Sequence, residues 1–210
     1  MLTVYSVPIS LYCAKLRIIL RHKGLEWSEK NPPGGYGSKE YKKLVITGNL
    51  PALVDENLVI ADSEAIAEYL EEKYPKPYML PKKLEERAKA RELSRFHDTR
   101  LEPELRKLFS QIPLLKPDDS FVKKQTEEIN LRLNQLSNMI KIFPDRLLLA
   151  HCAFPITLLW IEALASPLSL QIHWPSKLLR WNAKLKSFAA VNSELVDYKP
   201  KLQAWLRGPA

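Results

Sequence analysis

Cysteine is nearly missing from these 210 residues: there are two, Cys13 and Cys152, in different parts of the chain. Two cysteines build neither a disulfide framework nor a zinc site, so no metal is expected and a reducing cytoplasm is the default compartment. Long apolar runs are missing too, and none approaches the ~20 residues that span a bilayer. The opening MLTVYSVPIS has no basic stretch followed by an apolar core, so it does not read as a secretory leader. Glycine is scarce and lopsided. Five of the six (24, 34, 35, 37, 48) lie in the first 50 residues, and only Gly208 comes later. Tight turns therefore crowd the front of the chain and leave the rest for long helices.

What is there is ordinary for a soluble globular protein: 46% hydrophobic and 27% charged residues. The net charge is +8, and all of it lies in the later part. Residues 1–80 hold 10 basic and 10 acidic side chains; residues 81–210 hold 22 and 14. In PKKLEERAKARELSRFHDTR the basic residues alternate with acids, which is the pattern of a solvated helix face with i,i+4 pairs. No nucleic-acid-binding motif accompanies the charge, so neither nucleic acid nor membrane is an expected partner.

The front part reads strand (2–6), helix (11–23, closed by Gly24), strand (25–30), a loop at NPPGGYG, a short helical turn at SKEYKKL, a hairpin in PALVDENLVIAD, and a helix in DSEAIAEYLEEKY. That order describes a small α/β domain over residues 1–75. PKPYMLP holds three prolines in seven residues, a stiff linker, and the boundary falls at 76–83. Residues 84–210 read as helices: 84–109, 119–141, an apolar and hence buried helix at 149–164, and shorter ones around 175–190 and 194–206.

Two short motifs carry chemistry. In GNLPALVDE, Pro51 sits at a strand start, where its missing N–H costs nothing. The alternative is a cis Leu50–Pro51 bond that frees the Leu50 backbone for an extended peptide. In IADSEAIAEYL, Asp62 and Ser63 stand at a helix N-terminus, where capping alone explains them. A helix N-terminus also attracts a carboxylate, and Asp62 would hold an ammonium beside it; an α-amino acid head group carries both charges.

Taken in order, these segments resemble the cytosolic glutathione transferases, over essentially the whole chain. GNLPALVDENLVIADSEAIAEYLEEKYP is the most specific part, and LAHCAFPITLLW is similar to the family's buried sixth helix. The resemblance is to serine-type, bacterial-like members and not to a single class. It implies an α/β thioredoxin-like N-terminal domain followed by an all-α C-terminal domain. By the same resemblance, Ser10, five residues before Lys15, touches the sulfur of glutathione. Leu50 and Pro51 hold its cysteinyl part, Asp62 and Ser63 its γ-glutamyl end, and Asn49 the peptide. Lys39 is the choice for the glycyl carboxylate. Phe96 and Arg100, four apart on one helix, are assigned to the pocket of an apolar electrophile.

The implied activity is glutathione S-transferase, with glutathione as co-substrate and a cytoplasmic homodimer as the working form. Isomerase, peroxidase or dehalogenase chemistry on the same site is the alternative, as is a non-catalytic ligand-binding role. Three departures stand out. Val45 and Ile46 replace an expected Asn-Pro. Leu148 and His151 replace a Ser/Thr-x-x-Asp capping box, so another group must compensate. Leu-Tyr-Cys after Ser10 differs from the Ser-Cys-x-Trp of maleylacetoacetate isomerases. Cys13 is read as structural, Trp160 as core, and His22, His97 and His173 as surface or interface residues.

Overall fold

β1 (Leu2–Tyr5) turns Leu2 and Val4 inward and buries both. In the computed structural model, which describes residues 1–112 and 116–208, β1 lies between β2 (Trp27–Lys30) and β3 (Ala52–Asp55). β1 runs parallel to β2, with Val4 opposite Glu29, and antiparallel to β3, with Val4 opposite Leu53. β4 (Leu58–Ala61) follows β3 through the Glu56–Asn57 turn and completes the order β2-β1-β3-β4. α1 (Leu11–Lys23) makes the parallel crossover and ends at Gly24, whose φ of 64° is the left-handed cap that glycine adopts freely. α2 (Lys39–Leu44) and α3 (Ser63–Lys73) complete a thioredoxin-like unit. The Leu50–Pro51 and Lys76–Pro77 bonds are cis.

The helical part differs from expectation in one place that matters. The helix expected over 84–109 is four pieces: α4 (Leu84–Phe96), a π turn (His97–Leu101), α5 (Glu102–Lys107) and a 3-10 turn (Leu108–Gln111). Pro103 is the cause: it has no N–H to give, and its ring would crowd the carbonyl of Thr99. The chain widens by one residue, so that the Glu102 N–H donates to the His97 carbonyl. Then come α6 (Asp119–Met139), α7 (Phe154–Ala165), α8 (Ser176–Lys186) and α9 (Ala189–Leu206). α7 starts at Phe154, with Pro155 in its first turn where proline fits, and is buried from Phe154 through Ile161, as its apolar sequence predicts.

α1 is not a half-solvated helix, although its basic residues suggest one. Ten of its thirteen residues are buried, Lys15, Arg17 and Lys23 among them. Lys23 Nζ donates to Glu71 Oε2 (2.6 Å) and to the carbonyls of Tyr74 (2.7 Å) and Pro77 (3.2 Å). Glu71 Oε1 in turn accepts the Met79 N–H at 2.9 Å. The proline segment after α3 is thus tied down by a satisfied buried ion pair. Among the described residues no helix is long and apolar enough to cross a membrane.

Candidate active site

Ser10 is the N-cap of α1: its Oγ accepts the Cys13 N–H at 3.3 Å. The hydroxyl rotor of Ser10 can turn toward the Cys13 sulfur or toward the cleft. Ser10 opens onto a cleft of about 630 Å³ between the thioredoxin-like unit and the helices. From the N-terminal side Val7, Ile9, Tyr12, Tyr36, Asn49, Leu50, Asp62 and Ser63 also line it. The N–H and C=O of Leu50 have no hydrogen-bond partner among the described residues. Asp62 caps α3, with Oδ1 accepting from Glu64 N (2.8 Å) and Ala65 N (3.2 Å), while the side chain stays exposed.

Lys15 lies behind this surface. It is 1% exposed, and its Nζ is 3.3 Å from Ser63 Oγ, 2.5 Å from Glu64 Oε2 and 3.6 Å from Asp98 Oδ2. One buried cation thus holds Ser63 and ties α1, α3 and the π turn together. Asp98 lines the cleft as well. Burial pushes its carboxyl up, but the His97 hydrogen bond and the Lys15 charge outweigh that and hold it below the usual carboxylate range.

Several expectations need correction. Lys39 is exposed at the start of α2 and does not line the cleft; Tyr36 of the preceding loop does. Phe96 packs against the core and Arg100 faces solvent. Arg95 and Asp98 line the cleft instead, with Arg106 and Phe109 from beyond the π turn. His97 is not a surface residue. It is 1% exposed, with Nδ1 2.7 Å from Asp98 Oδ1 and Nε2 2.6 Å from Thr157 Oγ1, and these partners are what make its burial tolerable. Trp160 is core, but its ring also reaches the cleft, and its Nε1 donates to the Tyr198 hydroxyl at 2.7 Å.

Cys13 is fully buried, and burial pushes its thiol up, away from thiolate. Pro51 is buried beneath Leu50 in the chain. The residues that spacing missed are mostly aromatic. Trp160 stacks near Phe109 (centroids 4.7 Å) and Trp205 (5.3 Å) to form an apolar wall. Tyr12 joins them; burial and the Glu102 carboxylate raise its phenol and keep it protonated. The absent capping box is filled in part by His151, whose Nδ1 accepts the Leu148 N–H at 3.2 Å. Burial lowers that imidazole to about 4, so it stays neutral and able to accept.

Comparison with known proteins bears on the fold. Residues 4–78 match the family model "Glutathione S-transferase, N-terminal domain". Glutathione S-transferase Z1 of Arabidopsis thaliana is 43% identical over 91 residues, 41% of each chain. The stringent starvation protein A homolog of Coxiella burnetii is 38% identical over 80 residues, 38% of each. The alignments thus span less than half the length of these curated relatives. A delta-class glutathione transferase of Nilaparvata lugens superposes with a TM-score of 0.80 at 21% identity, covering 99% of this chain and 97% of that one. The N-terminal part of this chain therefore matches a glutathione S-transferase N-terminal domain. The chain as a whole has the fold of solved glutathione transferases, and its relatives point to no single class.

Proposed function

We propose that this protein binds reduced glutathione along the N-terminal wall of the cleft and joins it through its sulfur to an electrophile held by the aromatic wall, the thiol proton departing with the displaced group or ending on the adduct. The observation that carries this reading is Ser10 at the N-cap of a 13-residue helix, in one cleft with Leu50, Asp62 and Ser63. A free thiol has a pKa of about 8.5, and lowering it two units takes roughly 2.7 kcal/mol of preference for the anion. A charge-assisted hydrogen bond of about 1.5–3 kcal/mol from the Ser10 hydroxyl, with a helix-dipole contribution of about 0.3–1 kcal/mol, covers that. Ser10 acts as donor and not as base. The unpaired Leu50 backbone suits the cysteinyl amide, Asp62 and Ser63 the γ-glutamyl head group, and Asn49 and Tyr36 offer hydrogen bonds to the rest of the peptide.

The proposal extends to a working homodimer in the cytoplasm, with residues 1–75 and 84–210 as separate domains about the 76–83 linker. Isomerisation, peroxide reduction or dehalogenation would use the same thiolate, and product analysis separates them. A second reading, a non-catalytic ligand-binding protein, is favoured by one observation: a relative as similar as the stringent starvation protein A homolog is not named as a transferase. Retention on immobilised glutathione and turnover of a generic aryl halide decide between them, for wild type, Ser10→Ala and Cys13→Ala. The transferase reading expects retention, and turnover lost only in Ser10→Ala. No retention defeats it, and equal turnover in Ser10→Ala defeats the site assignment.

A further inference from the structure

The cations in this cleft come from the helical side, and one of them is set among aromatic rings. The guanidinium carbon of Arg106 lies 5.8 Å from the centroid of Tyr12 and 5.7 Å from that of Phe109. Its Nη2 lies against Glu102 Oε1, one turn back on α5 and 3% exposed, as a charge contact without hydrogen-bond geometry, so the guanidinium is held there by charge and by the rings. Among the described residues Nε and Nη1 donate to nothing, and the side chain is 53% exposed. The other charges nearby are already answered. Asp98 faces Lys15, His97 and, at 3.9 Å, Arg95; Asp62 caps α3. A guanidinium fixed by two ring faces and one buried carboxylate, with donors left over, is prearranged to take a second carboxylate in its fork.

We infer that the second substrate is a planar electrophile carrying a carboxylate, with its ring on Phe109 and Trp205, which Trp160 backs from the core, and its carboxylate on Arg106. The inference rests on the reading that this cleft takes a second substrate beside glutathione. Arg106 is then a specificity-determining residue: it separates anionic from neutral electrophiles of the same shape. If Arg106 served only to neutralise Glu102, ligand charge would make no difference.

The test uses the whole protein and two probes of one shape, a chloronitrobenzoate and the chloronitrobenzamide of the same substitution pattern. Tryptophan fluorescence quenching reads their binding without glutathione, and kcat/KM, corrected for the uncatalysed rates, reads their use with it. Wild type should favour the benzoate by about tenfold, the scale of one charge-assisted hydrogen bond at a half-exposed site. That preference should fall with added salt. It should drop to near unity in Arg106→Gln and survive in part in Arg106→Lys. Equal binding of the two probes to wild type overturns the inference, as does binding of neither, or an unchanged preference in Arg106→Gln. A rise in the KM for glutathione in Arg106→Gln, equal with both probes, overturns it too and assigns Arg106 to the peptide. If Arg106→Gln does not fold, the salt dependence in wild type and the Lys variant still decide. Preferential quenching by the benzoate in a protein that turns over neither probe would uphold the anion site and count against the transferase reading alone.

Discussion

Asp62 has two tasks that substitution can separate. Its Oδ1 caps α3, and its charge faces the cleft. Asp62→Asn keeps an acceptor for the two N–H groups and removes the charge. It should leave the melting temperature almost unchanged and raise the KM for glutathione about tenfold. Asp62→Ala should lose roughly 0.5–2 kcal/mol of stability in addition. Ser10, Leu50, Asp62 and Ser63 line one cleft; the residues alone marked the Asp62–Ser63 cap and the proline at a strand start, and the place of Ser10 came from the resemblance. Lys39 was not legible. Three lysines crowd a six-residue helix, and spacing does not say which way a side chain on so short an element points. The aromatic wall was missed for a related reason: Phe109, Trp160 and Trp205 come from separate elements, and only their packing brings them together.

At the scale of elements, the lesson lies in what interrupts a helix. A 3.6-residue period carried through 84–109 puts Phe96 and Arg100 on one face, and the resemblance assigns that helix to the pocket without saying which face looks in. Arg95 of α4 and Asp98 of the π turn line the cleft, and the π turn forced by Pro103 sets which face of α5 follows, so that Arg106 lines it too. The Leu149–His151 turn before α7 shows the converse, a missing signal replaced by another residue. His151 accepts the Leu148 N–H only when neutral, and burial lowers it to about 4 from an ordinary 6.5. The unfolded chain takes up a proton below about 6.5 that the folded chain refuses until about 4. Stability should therefore fall as pH drops through that window, by up to about 3 kcal/mol. His151→Asn keeps an acceptor without a titration, so its urea midpoint should vary less between pH 6.5 and 4 than that of wild type. An equal pH dependence would contradict the cap assignment. At the end of α9, Trp205 is 39% exposed against Trp160, so it shapes the cleft more than it holds the fold. Trp205→Ala should raise the KM for an aryl electrophile several-fold with less than about 1 kcal/mol of destabilisation.

At the scale of the molecule, α1 is the common wall of both halves, and its basic residues are the fasteners. Lys15 reaches α3 and the π turn, and Lys23 reaches α3 and the proline segment. Arg17 Nε meets Glu194 of α9 at 2.8 Å, with side-chain exposures of 7% and 1%. Arg21 adds Glu194 (3.4 Å) and Asp197 (2.6 Å). Glu194→Ala removes the nearer of the two carboxylates on the buried Arg17 guanidinium, leaving Glu29 at 3.6 Å, and should cost up to about 3 kcal/mol, read by urea denaturation. Arg17→Met with Glu194→Leu should recover most of that loss, because the desolvation cost disappears with the charges. The two-part architecture was legible from glycine placement and the proline segment. The all-round burial of α1 was not, since a basic helix reads as solvated until its partners from distant elements are seen.

The central claim is that Ser10 and the α1 N-terminus hold the sulfur of glutathione as a thiolate. The direct measurement is a pH titration of the ultraviolet thiolate absorbance of bound glutathione, in wild type and in Ser10→Ala. The account predicts a bound-thiol pKa about two units below the free value of about 8.5 in wild type, returning most of the way in Ser10→Ala. A bound thiol that titrates at its free value in wild type, or identically in both proteins, would contradict it.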